Sequence, residues 1–566
     1  MASRAETLLR ELDAVARRFG EGEGEGARKV ELLQGLKRCR LAKAGDVLRL
    51  HDILCFLRAL PDDGDVLSTA EEMLASFHER SDLRKHRSEL EGSGIAGTDV
   101  RFTFFAAMAR WLAEGWGQNL SIDWEAFEKK ELLAERLYLL GLDAETPGLD
   151  HRKLTARGWI DRFKGPQETD AEFLIRCIGA QRWDATVRDV LYDELELPLV
   201  FRTGPETPSR TSARLSGGRV AFQTEPWRKP RPDIRAEARR PPRSIRSVDR
   251  RTGQEIVDLA RGAMMTRARD LDAFAGGDPD DVRIVDCGGG LEFALIGSKP
   301  EWRMMLECVY GWMMFQNRVP IGYVLSSAFL RSSEIAFNVF DTWRGGDAAH
   351  IYGRVLATTR AVFGTETFTI YPYQLGYGNP EGLESGSWWF YQKLGFRARD
   401  PKVLALMERE LGRIRERVGY RSSPETLEKL ARHNVYLELG RHRKSVIGTF
   451  RFDRVGLAVT DSIAERFGHR RVHAERVLAD EVASELGVRA WRSFPAAERK
   501  AWMHWAPLVA ILPGLDRWSA AERRALVRVI RAKGGRRESD YLRLFDAHPK
   551  LTRSILRLSE KPARGE

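Results

Sequence analysis

Apolar residues recur at three- and four-residue intervals through most of the first 200 positions. Leu8, Leu9, Leu12, Val15, Ala16 and Phe19 fall on one face of a helix. Similar runs follow in LRLHDILCFLRAL, FFAAMARWLAEG, EKKELLAERLYLLG and AEFLIRCIGAQRWDATVRDVLYDEL. Between them GEGEGEG, residues 20–26, breaks the first helix, because glycine alternating with charge offers nothing to pack. The period changes near residue 249. One helical run, EIVDLARGAMMTRARDL, leads into short apolar runs of strand length: LEFALIG, PIGYVLSSAF, EIAFNVF and TETFTIYPY. Between the last two lies AAHIYGRVLATTRAVFG. Its Ala348, Ile351, Tyr352, Val355, Leu356, Val362 and Phe363 share a face, and Gly364 is placed to end the helix. A further short helix closes the region in SWWFYQKLGF, and amphipathic helices return from 401 to 566. The pattern predicts an α+β chain: a mixed sheet with helices at 249–400, flanked by all-helical regions at 1–200 and 401–566.

Residues 201–248 fit neither period. PWRKPRPDIRAEARRPPRSIR carries five prolines among its arginines and cannot run as one helix. The segment is expected to be an exposed linker. The chain has a net charge of +11. Phe201–Arg250 alone holds 13 Arg and Lys against 5 Asp and Glu, a net of +8. That charge is a solvated linker face or, over 213–247, a docking arm for an acidic protein or nucleic acid.

At 566 residues the chain is long enough for about three or four domains, and 43% hydrophobic with 31% charged residues is a globular balance. No apolar run approaches the roughly 18 residues of a membrane span. Five scattered cysteines, with no CxxC pair, predict reduced thiols in a cytoplasmic protein without membrane contact. His469 and His473 have the spacing of two metal ligands on a helix, but three arginines surround them and no third ligand is evident. They read as a solvated face, and no metal is expected.

Two motifs carry candidate chemistry. The first is the turn Thr342–Ala349, TWRGGDAA, between a predicted strand and a predicted helix. Backbone N–H groups at a helix start, with the positive end of its dipole, suit an anion, and glycine lets a phosphate approach closely. The second is Tyr391-Gln392-Lys393-Leu394-Gly395-Phe396. A phenol among rings stays protonated at neutral pH and can still hand over a proton.

The order strand, turn, helix, strand, then a helix ending in FYQKLGF resembles the GNAT superfamily of acyl-CoA N-acyltransferases over residues 249–400. The resemblance implies that Thr342, Arg344, Gly345, Gly346, Asp347, Ala348 and Ala349 hold the pyrophosphate of acetyl-CoA or another acyl-CoA. It implies that Tyr391 protonates the departing thiolate, and that Glu334, with Asp341 as runner-up, helps remove a proton from the attacking amine. The acceptor would be an amine-bearing small molecule or a protein. Two departures stand out: Asp347 occupies a glycine place, and Glu384 a place where the family usually has Asn, with Asn379 further upstream. Asp347 either faces the phosphate, at a cost, or turns away and caps the helix. The alternative to an enzyme is a binding or scaffold protein that keeps the GNAT-like fold without the reaction.

Overall fold

The computed structural model describes residues 3–20, 24–227 and 230–560. The centre of the glycine–glutamate break, 21–23, and residues 228–229 of the basic segment lie outside them. Strands β1 (Asp99–Phe102), β2 (Leu120–Ile122) and β3 (Leu199–Arg202) form a small antiparallel sheet in the order β1-β3-β2. Nine more strands form the central sheet: β4 (Ser244–Ser247), β5 (Gly277–Gly288), β6 (Leu291–Ser298), β7 (Cys308–Gln316), β8 (Val319–Phe329), β9 (Ser332–Val339), β10 (Thr367–Ile370), β11 (Arg397–Ala398) and β12 (Val435–Glu438). They run in the order β11-β12-β10-β9-β8-β7-β6-β5-β4. The class is mixed α and β, as the change of period predicts.

The helices around this sheet include α1 (Arg4–Val15), α2 (Ala44–Ala59), α3 (Ile234–Arg239), α4 (Arg250–Met265), α5 (Ala348–Phe363), α6 (Pro380–Glu384) and α7 (Ser387–Lys393). Gly364 ends α5 in the left-handed conformation, φ +70°, which glycine adopts without strain.

One pair in the central sheet is parallel. β9 pairs with β10 only through Ser332–Glu334 against Thr367–Thr369. A parallel pair needs a crossover, and α5 supplies it. Beyond Glu334 the two strands part. Pro372 then starts a short helix, since proline removes a ladder donor. Ile335–Val339 of β9 are thus left without a β10 partner.

The expected boundaries change in three respects. The N-terminal region is not wholly helical. Residues 100–201 build a separate hydrophobic core around the small sheet, while α1, α2 and their neighbours share the core of the central sheet. The segment 201–248 is not a solvated linker. Trp227, Ile234 and Ala238 are buried, α3 packs on α5, and β4 forms an edge of the sheet. Its prolines forbid a long helix but leave single apolar side chains free to anchor it. The C-terminal region is not wholly helical either: it contributes β12, which pairs with β10.

Two central strands, β5 and β7, escape the period-2 reading. β7 is an unbroken apolar run, CVYGWMMFQ, covered on both faces. β5 opens with GDPDD, in which Asp278 lies near the buried Arg303 side chain and Asp281 finds two buried donors. Asp281 accepts from Tyr310 Oη and from the N–H of Glu538, 3.1 Å away. The helices after residue 496 dock onto this side of the sheet. Lys533 Nζ lies 2.5 Å from Glu538 Oε1 and donates to the Glu307 carbonyl at 2.6 Å, with the Lys533 and Glu538 side chains both buried. Among the described residues no helix is long and apolar enough to cross a membrane.

Candidate functional site

A cleft of about 380 Å³ opens where β9 and β10 part. Its floor is Phe337, Asn338 and Val339 of the unpaired half of β9. One wall is Arg344, Gly345 and Ala348, from the turn and the first residue of α5. The other wall comes from the loop after β10 and from α6 and α7, through Gln374, Asn379, Glu381, Ser387, Phe390 and Tyr391. The turn and the tyrosine of the two sequence motifs therefore share one open space.

The turn has a front and a back. Gly345 has φ +89°, a conformation that favours glycine. Among the described residues the N–H groups of Gly345, Gly346 and Ala348 donate to no oxygen of the chain. They stand at the start of a 16-residue helix, where an anion is favoured. Gly346 is glycine for another reason: a Cβ there would lie 2.0 Å from the Trp227 ring. Thr342 is buried at the back, where its hydroxyl accepts from Arg210 at 3.1 Å. Ala349 packs against the core.

Asp347 resolves the choice left by its sequence position. Its carboxylate does not line the cleft; it lines a second cavity of about 190 Å³ behind the turn, with Trp227, Trp343, His350 and Arg354. It stands at the N-cap of α5 yet makes no side-chain capping bond. The front of the turn is thus free of that charge. Arg344 is less free. Its guanidinium pairs with Asp341 at 2.7 Å and with Glu381, and donates to the Val339 carbonyl at 3.1 Å. Asp341 is 85% exposed, so its carboxylate is a well-solvated partner for Arg344 rather than a desolvated base.

Tyr391 is only 4% exposed. Its ring meets Tyr352 of α5 edge to face at 5.6 Å and Phe396 at 5.7 Å. Burial pushes its phenol well above the usual range, so the hydroxyl keeps its proton at any physiological pH. Of its neighbours, Trp388 is buried in the core. Trp389 donates to Ser422 Oγ at 3.2 Å, while Phe390 joins Tyr391 in the cleft wall. Trp388 and Trp389 thus pack away from the cleft, and Phe390 and Tyr391 line it.

Glu334 stands at the vertex, opposite Thr369, where β9 and β10 last touch. Strand alternation places it on the sheet face opposite α5, because Phe337, three positions on, packs against Tyr352 of α5. Burial, with the charge of Glu307 second, lifts its carboxyl to about 7. It does not line the cleft itself. Asn379 does, and its side chain caps α6 by accepting from Gly382 N at 3.2 Å. Glu384 is exposed and outside the cleft.

Sequence reading missed Asn338 in the floor and Gln374 and Glu381 in the wall. Glu381 meets Arg344 across 37 positions, a separation no local spacing reveals. Among the described residues no cluster of three or more His, Cys, Asp or Glu is placed to hold a metal. No family of known proteins, no curated protein and no solved structure matches this chain.

Proposed function

We propose that the chain is an acyl-CoA-dependent N-acyltransferase of GNAT-like fold, acting on an amine-bearing small molecule or a protein. The observation that carries this reading is the shared cleft. Residues at the start of α5 and a buried tyrosine line one space, beside the half of β9 that β10 leaves unpaired. The pyrophosphate would sit against Gly345, Gly346 and Ala348. The amide-bearing arm of coenzyme A would lie along the free edge of β9, which offers unpaired backbone groups as any sheet edge does. The cleft is of a size for that arm and an acyl group rather than for the whole cofactor.

In this mechanism the amine nitrogen attacks the thioester carbonyl directly, and no acyl-enzyme forms. A strand N–H polarises the carbonyl oxygen as charge develops there. Glu334, with a carboxyl poised near neutrality, takes the proton from the amine through water on the far side of the vertex. The carbon–sulfur bond breaks, and Tyr391 gives its proton to the leaving thiolate. Most of the rate gain comes from holding the two reactants together.

One observation favours a second reading, a binding protein without turnover. Arg344, the turn's own cation, is already balanced by Asp341 and Glu381, which reduces the pull on a pyrophosphate. The test is release of free thiol from acetyl-CoA in the presence of polyamines and lysine-containing peptides. Amine-dependent release that Tyr391→Phe abolishes supports transfer. No release for any amine, with no saturable acetyl-CoA binding at millimolar ligand, favours the scaffold.

A further inference from the structure

The back of the turn is held by residues outside the GNAT-like region, two of them more than a hundred positions before it. Arg17, just after α1, donates from Nη2 to the Thr342 carbonyl at 2.8 Å and from Nη1 to the Arg344 carbonyl at 3.3 Å. Its guanidinium lies over the Phe56 ring at 4.8 Å and the Trp227 ring at 4.7 Å. Those two rings meet edge to face at 5.2 Å. Trp227 in turn packs on Gly346 so closely that no Cβ fits between them.

In a trans peptide the carbonyl of one residue and the N–H of the next point in opposite directions. Fixing the Arg344 carbonyl toward Arg17 therefore aims the Gly345 N–H away from α1, toward the cleft that Gly345 lines. A guanidinium can serve two carbonyls at once because its donors are arranged in a rigid fork, which an ammonium lacks.

We infer that Arg17, clamped by Phe56 and Trp227, is a positioning residue for the phosphate turn, so that the N-terminal helical region is part of the acyl-CoA site. This rests on the cleft being an acyl-CoA site. The carbonyls it holds carry no charge, so the fork geometry rather than net charge is what the turn needs.

The experiment is acetyl-CoA titration by calorimetry of the full chain and of Arg17→Ala, Arg17→Lys and Arg18→Ala, with thermal unfolding of each. Arg18 is the neighbouring exposed cation and controls for charge alone. The expected result is acetyl-CoA affinity about tenfold weaker in Arg17→Ala and Arg18→Ala matching the parent. Arg17→Lys should fall between, and millimolar methylguanidinium should restore part of the loss in Arg17→Ala. In steady-state assays KM for acetyl-CoA should rise while KM for the amine stays put. If the parent binds acetyl-CoA and folded Arg17→Ala or Arg17→Lys binds it equally well, the positioning role is overturned and the cleft reading survives. If the parent itself does not bind, the cleft reading fails and the role of Arg17 falls with it.

Discussion

Tyr391 and Glu334 sit on opposite sides of one vertex, and the proposed reaction gives them opposite roles. Tyr391 is shielded enough to keep its proton, so Tyr391→Phe should lower turnover about a hundredfold or more while leaving acetyl-CoA affinity unchanged, as single-turnover and binding assays would show. Glu334 must lose its proton to act as a base. Turnover should therefore rise with pH through about 7, and Glu334→Gln should flatten that limb of the profile. The same shift has a consequence for stability. Between its ordinary value of 4.5 and about 7, the folded chain holds a proton that the unfolded chain has released. Glu334 thus costs stability as pH rises through about 7, and Glu334→Gln should remove that loss in urea titrations at pH 5 and 8. In the proposed site Glu381 bears on binding rather than on chemistry, through its pair with Arg344. Releasing Arg344 from one of its two carboxylates with Glu381→Gln should tighten acetyl-CoA binding by about 1 kcal/mol or less, the range of an exposed pair.

At the scale of elements, the turn and α5 are held by two different uses of glycine. Gly345 answers a backbone need, and Gly346 answers the Trp227 ring. Gly346→Ala should destabilise the chain by about 1–3 kcal/mol. Combined with Trp227→Ala it should cost less than the sum of the two, by about 1 kcal/mol, because the clash is gone. Additive losses in a double-mutant cycle would show that the ring and the turn are not coupled. Much of this region is legible from local sequence. Helix α5 with its glycine stop, the runs that form β6, β8, β9 and β10, and the turn between strand and helix all come from local period and cap residues. The rest depends on distant partners. The aspartates of β5 look like loop residues, and only the fold shows Tyr310 and the N–H of Glu538 donating to Asp281. β7 lacks alternation because it is buried on both faces. The packing role of the Arg/Pro segment rests on Trp227, a single ring in a charged run, and the Arg344–Glu381 pair spans two walls of the cleft.

At the scale of the molecule, residues 249–400 are not a self-contained unit. The central sheet needs β12 from the C-terminal region, β4 from the basic segment, and a core completed by α1 and α2. An isolated 249–400 fragment should therefore fail to unfold cooperatively on heating. The C-terminal helices are locked to the sheet by Lys533 and Glu538. Glu538→Ala leaves the buried Lys533 without its only carboxylate among the described residues and should cost about 3–5 kcal/mol. The flanking regions are thus integral to the cleft's frame.

The claim that the cleft takes acyl-CoA at the start of α5 is tested most directly by calorimetric titration of the full chain with acetyl-CoA, beside Ala348→Glu. Ala348 lines the cleft on ordinary helical backbone, so a carboxylate there opposes a phosphate without straining the turn. The account predicts saturable binding of one acetyl-CoA per chain, weakened about tenfold or more in Ala348→Glu at unchanged Tm. No binding at millimolar acetyl-CoA, or equal affinity in the two proteins, would contradict it.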